Sequence, residues 1–177
     1  MCGIVGITSS KNVSNSILNS LRKLEYRGYD SAGIATLERG FIKEVKCEGR
    51  VDALENSLSK QSLEGNVGIG HVRWATHGVP STINAHPHSS DKVSVVHNGI
   101  VENSTILKKL LMKKGYVFKS QTDTEVIVHL ITEYLKKYDL KNSIIKMLKR
   151  VHGSFALGII FQDQPDLIVG ARRGSPL

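Results

Sequence analysis

Met1-Cys2-Gly3-Ile4-Val5-Gly6-Ile7-Thr8 opens the chain. Cys2–Thr8 reads as a short buried strand, apolar and rich in β-branched residues. Its first residue is the informative one. With Met1 removed, Cys2 becomes residue one and carries a thiol and a free α-amine on one short frame. An amine of pKa about 7.7–8.0 can take the proton of a thiol near 8.5, directly or through a water. An N-terminal residue that is both nucleophile and base is a known way to activate a weak nucleophile. Position alone favours the other reading, a small buried side chain at a strand start. The choice depends on what the rest of the chain can place around the sulfur.

Outward from that strand, Val13, Ile17, Leu18, Leu21 and Leu24 recur at helical spacing and predict a helix over Asn12–Leu24. Tyr26–Asp30 (YRGYD) reads as a loop broken by Gly28. Ser31–Leu37 and Phe41–Cys47 are β-rich runs joined by Glu38-Arg39-Gly40, a hairpin signature. Val51, Leu54 and Leu58 predict a helix over Val51–Leu63. Asn66–Val72 and Lys92–His97 read as strands. Between them, Arg73–Asp91 is long, polar and aperiodic, with Gly78, Pro80 and Pro87, which marks a functional loop rather than filler. Asn103 is expected to cap a helix that runs to Lys114 and stops at Gly115. Thr122-Asp123-Thr124-Glu125 matches a capping box that would open a helix to about Lys137. A helix over Leu140–Val151 and strands over Ser154–Phe161 and Asp166–Ala171 complete the pattern. Strands come mostly in adjacent pairs, which predicts an α+β fold of antiparallel sheets with helices packed outside. The stop at Arg173–Leu177, immediately after a strand, reads as a fragment end.

At 177 residues, 40% apolar and 23% charged, the composition is that of one ordinary globular domain. No apolar run approaches the roughly 18–20 residues of a membrane span, and the opening residues do not read as a signal peptide. Cys2 and Cys47 are the two cysteines, too few for a disulfide scaffold. A nucleophilic Cys2 must stay reduced, so a cytoplasmic setting is expected. The net charge of +8 raises the question of nucleic acid. However, Lys108, Lys109, Lys113, Lys114, Lys136, Lys137, Lys141, Lys146, Lys149 and Arg150 fall on predicted amphipathic helices. They read as solvated faces with few interleaved aromatics, so neither nucleic acid nor membrane is an expected partner.

Five of the seven histidines, His71, His77, His86, His88 and His97, lie between positions 71 and 97. His86-Pro87-His88 could offer two imidazoles to a metal, but no H-E-x-x-H or comparable arrangement accompanies it. Histidines bonding to loop backbone around a pocket is the better reading, and no metal is expected. Arg73, at a strand end, could clamp a carboxylate or form a surface ion pair. His97-Asn98-Gly99 ends the next strand; spacing alone favours a turn, although an Asn amide and a Gly N–H are also the donors of an oxyanion hole. Asp123 could serve a helix dipole or hold an ammonium group. Thiol with amine base, oxyanion donors, a cation and an anion together describe a site for an α-amino acid with a reactive side-chain carbonyl. Glutamine fits.

The motifs MCGIVG, LEYRGYDSAG (24–33), GHVRWATHG (70–78), NAHPH (84–88), VHNGIVEN (96–103) and TDTE (122–125) resemble the glutaminase domain of the glutamine–fructose-6-phosphate aminotransferase family, a class II glutamine amidotransferase. The resemblance runs in family order across nearly the whole chain. It implies the N-terminal nucleophile hydrolase fold, a four-layer αββα sandwich. It implies Cys2 as nucleophile and Asn98 and Gly99 as oxyanion hole. Arg73 would hold the glutamine α-carboxylate, with Trp74, Thr76 and His77 lining the pocket, and Asp123 the α-ammonium. Arg27 and Gly28 would sit close to Cys2. No cofactor is implied. A class II domain over residues 1–177 would continue past Leu177, and sugar isomerase domains absent from this chain would bind fructose 6-phosphate, in a full-length homodimer making glucosamine 6-phosphate. Two other readings compete with it: a metal-dependent hydrolase on the histidine cluster, and a non-catalytic basic binding module.

Overall fold

A strand turns successive side chains to opposite faces, and here that alternation decides which residues meet. The computed structural model describes residues 2–177. The first half supplies β1 (Gly3–Thr8), α1 (Ser14–Leu24), β2 (Ser31–Glu38), β3 (Phe41–Glu48), α2 (Val51–Lys60) and β4 (Val67–Arg73). The second supplies β5 (His88–Ser89), β6 (Val93–Gly99), α3 (Ser104–Met112), α4 (Glu125–Leu135), α5 (Leu140–Arg150), β7 (Phe155–Phe161) and β8 (Ile168–Arg173). The strands form two four-stranded sheets, in the orders β1-β4-β2-β3 and β5-β6-β7-β8. Every pairing within them is antiparallel.

Three apolar clusters fill the three interfaces between layers. Val67 and Ile69 of β4 meet Val96 of β6 and Ile160 of β7 between the sheets. Ile17, Leu18 and Leu21 of α1 and Leu54 of α2 cover the outer face of the first sheet. Ile127 and Ile131 of α4 and Met147 of α5 cover the second, against Val93, Val95 and Leu157. The result is the four-layer αββα sandwich, α+β, expected above. Gly70 shows how closely α1 seats: a Cβ there would lie 2.4 Å from Ile17 Cγ2.

The hairpin between β2 and β3 closes Glu38 on Phe41 across Arg39 and Gly40, at φ 51° and 85°. Two left-handed residues make the twisted two-residue turn that suits a hairpin.

Several boundaries differ from the periodic reading. Helix α1 starts at Ser14 because Asn12 Oδ1 accepts the Ser14 N–H at 2.9 Å. Tyr26 and Arg27 sit in a 3₁₀ turn, Glu25–Arg27, rather than in open loop. Helix α2 ends at Lys60, and Leu63 is buried beyond it while its carbonyl accepts from Asn12 and Ser14. The long loop contains the two-residue strand β5. Asn103 sits at the α3 start but caps nothing with its side chain. Its amide instead donates to Arg150 O at 2.9 Å and accepts from His152 N at 3.0 Å, tying α3 to the end of α5.

The predicted capping box also does not form. Helix α4 begins only at Glu125, with no side-chain cap from Thr124. Glu125 turns back to Lys119 N at 2.9 Å and Ser120 N at 2.7 Å. Burial opposes its charge, but the His129 ring 3.5 Å away and bonds from Ser120 and the Lys119 N–H prevail and hold its pKa at about 2. The threonines are thereby released to face the histidines.

Candidate active site

The antiparallel register sets Gly3 of β1 against Val72 of β4. One step further, Cys2 lies beside Arg73 at the open end of the first sheet. The Cys2 thiol sits on the Trp74 peptide: Trp74 N donates to Sγ at 3.2 Å, and Sγ lies 3.5 Å from Trp74 O. The Cys2 carbonyl accepts from Arg27 Nε at 3.1 Å and from Asn98 Nδ2 at 3.2 Å. The nucleophile candidate is thus held by both sheets. Burial pushes the thiol above its ordinary value; the Trp74 N–H and the Arg73 guanidinium pull it the other way. A thiol in this state needs a base. Cys47, in the outer layer between β3 and α2, is buried and likewise raised by burial.

A cavity of about 390 Å³ opens beside Cys2, lined also by Arg27, Arg73, Trp74, Thr76, His77, Asn98, Gly99 and Asp123. Nine of the ten residues singled out from sequence therefore face one space. Gly28 lies behind the wall, where a Cβ would come within 2.6 Å of the Arg73 carbonyl carbon. Trp74 is 49% exposed at the rim, edge-on to Tyr29 with centroids 5.5 Å apart.

Arg73 is 3% exposed, which rejects the reading as a surface ion pair. Its Nη2 donates to the carbonyls of His77 and Gly78, curling the loop around the guanidinium. Its Nη1 has no hydrogen-bond partner among the described residues and lies 3.9 Å from Asp30 Oδ1. A buried donor without a partner is costly unless something else meets it. Asp30, at the end of the YRGYD segment, accepts the Ala75 N–H through Oδ2 and the Ser31 hydroxyl through Oδ1. It thereby holds the start of that loop over Cys2. Asp123 precedes α4 rather than lying in its first turn; Oδ2 accepts the Val101 N–H at 2.7 Å. Gly99 has φ 131°, and a Cβ there would fall 2.1 Å from Ser154 O, so only glycine fits this bend.

Four of the clustered histidines, His71, His86, His88 and His97, are buried. Thr124 Oγ1 bonds His86 Nε2 at 2.9 Å and His97 Nδ1 at 2.8 Å, while Thr122 Oγ1 bonds His88 Nε2 at 2.9 Å. Burial drives all four toward the neutral form, His71 and His88 to about 3 and His97 to about 4. Among the described residues, no group of three or more His, Cys, Asp or Glu side chains converges to hold a metal ion. His86, His97, Thr122, Thr124, Ser175 and Pro176 also line the cavity. The histidine cluster signalled the first two. The threonines were hidden inside an apparent helix cap, and nothing local marked Ser175-Pro176. Met1, whose removal the reading requires, lies outside the described residues.

A family model described as a glutamine amidotransferase domain matches residues 71–174. Over its whole length the chain is 53% identical to the glutamine–fructose-6-phosphate aminotransferase (isomerizing) of Mesorhizobium japonicum, and 52% identical to that of Clostridium acetobutylicum. It spans 29% of the length of each. Among solved structures, glutamine phosphoribosylpyrophosphate amidotransferase from B. subtilis superposes with a TM-score of 0.78 at 29% identity, covering 91% of this chain and 35% of that one. A glutamine aminotransferase class-II domain protein from Silicibacter pomeroyi shares the fold, with a TM-score of 0.59 at 16% identity over 83% of this chain and 70% of its own. With a family model matched over more than half its length, this chain belongs to the glutamine amidotransferase domain family.

Proposed function

We propose that this domain hydrolyses L-glutamine to L-glutamate and ammonia through a thioester on Cys2. The observation that carries the reading is Arg73 Nη1, a buried cationic donor without a hydrogen-bond partner among the described residues, on the same cavity as Cys2 and Asp123. It fits the α-carboxylate of an amino acid whose ammonium meets Asp123. Trp74, Thr76, His77, Arg27 and Gly28 shape or support that pocket.

The Cys2 thiol gives its proton to the α-amine of a chain freed of Met1, and the sulfur attacks the side-chain carbonyl carbon of glutamine. Asn98 Nδ2 and the Gly99 N–H take the developing oxyanion. Asn98 has two amide protons, one directed to Cys2 O and one for the substrate. The tetrahedral adduct collapses, the carbon–nitrogen bond breaks, and the leaving nitrogen takes the proton from the amine. Water then attacks the thioester, releasing glutamate and restoring the thiol.

In the whole protein, ammonia would pass to fructose 6-phosphate bound by sugar isomerase domains, giving glucosamine 6-phosphate, within a cytoplasmic homodimer. No helix among the described residues is long and apolar enough to cross a membrane.

The test is a glutaminase assay paired with intact mass measurement. Active protein should lack Met1 and should gain one adduct of a glutamine-analogue electrophile, at Cys2. Activity in protein that retains Met1 would overturn the amine-base mechanism. For the whole protein, glucosamine 6-phosphate should form from glutamine and fructose 6-phosphate and should vanish in C2S.

A further inference from the structure

We infer that His71 is a positioning residue that sets the Asn98 amide, through an Nε2–H held by the His97 carbonyl. The inference rests on the glutaminase reading above and deepens it. His71 Nε2 lies 3.0 Å from His97 O and 3.0 Å from Asn98 Oδ1. A backbone carbonyl can only accept, so Nε2 must carry the proton. Burial keeps the ring neutral, with a pKa of about 3, so Nδ1 carries none. Among the described residues, Nδ1 is indeed buried without a hydrogen-bond partner.

The shared proton then decides which way Asn98 faces. With Oδ1 toward His71, the amide nitrogen points to Cys2 O, 3.2 Å away. With the amide reversed, two donors would face each other at His71 and two acceptors at Cys2. Both contacts would be repulsive, so one orientation survives.

Strand alternation explains why these atoms meet. His71 is in phase with Val67 and Ile69 on the face of β4 turned toward the second sheet, and Asn98 is in phase with Val96 on the face of β6 turned back. His97, one residue out of phase, turns its ring to Thr124 at the start of α4 while its carbonyl stays with His71. The Thr124 hydroxyl thus anchors the carbonyl that sets the His71 tautomer. The stacked His86 ring, 4.4 Å away, holds the imidazole plane.

The test uses H71L, H71N and H71Q. A Gln amide nitrogen reaches the position of Nε2, whereas that of Asn reaches only Nδ1. Removing one oxyanion donor lowers kcat by about 10²–10³-fold, so H71L and H71N should lose roughly 30- to 100-fold in kcat for glutamine hydrolysis, with KM moving less than about threefold. H71Q should recover to within about tenfold of wild type on the same scale. Because His71 acts through Asn98, adding H71L to N98A should cost nothing further. Wild-type kcat in H71L, multiplying losses in the double variant, or H71Q as poor as H71N would overturn the assignment. If H71L does not fold, the H71Q and H71N pair decides it. Nitrogen-15 NMR of His71 gives a readout independent of turnover, since an Nδ1–H tautomer would overturn the inference in any protein, active or not. Absence of Cys2-dependent hydrolysis in wild type would instead sink the glutaminase reading, and the tautomer spectrum would then decide His71 alone.

Discussion

Asn98 Nδ2 donates to the backbone carbonyl of Cys2 across 3.2 Å and 96 residues of chain, joining the end of β6 in one sheet to the residue before β1 in the other. The relationship makes the proposed catalytic geometry a property of how the two sheets are stacked. A shift of one sheet on the other would separate Cys2 and Asn98, the proposed nucleophile and oxyanion donor.

The two cysteines should behave oppositely. C2S should lose at least about 10³-fold in glutamine hydrolysis, as for other nucleophile replacements. C47S should remain within about twofold, because Cys47 is confined to the interface with the α2 layer, away from the cavity. Electrophile labelling followed by peptide mapping checks the same point. Substantial activity in C2S would remove the thioester from the mechanism.

D123N separates binding from folding. An Asn side-chain oxygen can still accept the Val101 N–H, so the loop before α4 should hold. The lost charge should raise KM for glutamine by about 10- to 100-fold, the worth of a charged hydrogen bond of roughly 1.5–3 kcal/mol. Trp74 is the single tryptophan and lines the cavity, so its emission reports occupancy directly. Glutamate should shift that emission in wild type and should require far higher concentration in D123N. Equal titration curves would remove Asp123 from the substrate site.

Acid should destabilise the domain from an unusually high pH. His71, His88 and His97 titrate at about 3, 3 and 4 when folded and near 6.5 when unfolded. Between pH 6.5 and 4 the unfolded chain therefore binds more protons, so stability falls as pH falls through that window. Each such histidine contributes a slope of up to about 1.4 kcal/mol per pH unit. Glu125, held at about 2, adds a loss of the same sign as pH falls below its ordinary value of 4.5. Urea unfolding at pH 7, 6 and 5 measures the slope. A flat profile over that range would show that the histidines accept protons in the folded state.

G70A should destabilise without touching the chemistry. The new methyl would meet Ile17 Cγ2 at 2.4 Å, an overpacking worth about 1–3 kcal/mol. I17A should relieve it, so the double variant should lose less than the sum of the two single losses. Additive losses would mean that α1 does not seat against β4 at this point.

Much of the fold was legible because the elements are strongly periodic. Val13, Ile17, Leu18 and Leu21 marked a helix whose apolar stripe packs on β4, and Glu38-Arg39-Gly40 marked a hairpin whose two left-handed residues are present. Local signals failed where long-range partners were stronger. Asn103 and Thr122-x-x-Glu125 have the residue types of helix caps. Their side chains are instead drawn to Arg150, His88, Ser120 and Lys119; at His88 and Ser120 the bonds are buried, where polar groups require partners.

By itself the sequence determined the alternation of each strand, the placement of a thiol at residue two, and the residue types of an amino-acid site. Its motifs, in order, named the family. Only the tertiary structure decided that Arg73 is a buried cation wrapped by its own loop rather than a surface charge, and that Asp30 anchors that loop. It also placed His71 against Asn98. The reason is physical: periodicity specifies which face a side chain occupies, whereas hydrogen-bond partners are set by how the two sheets stack. That stacking depends on apolar contacts between Val67, Ile69, Val96 and Ile160, residues that lie far apart along the chain.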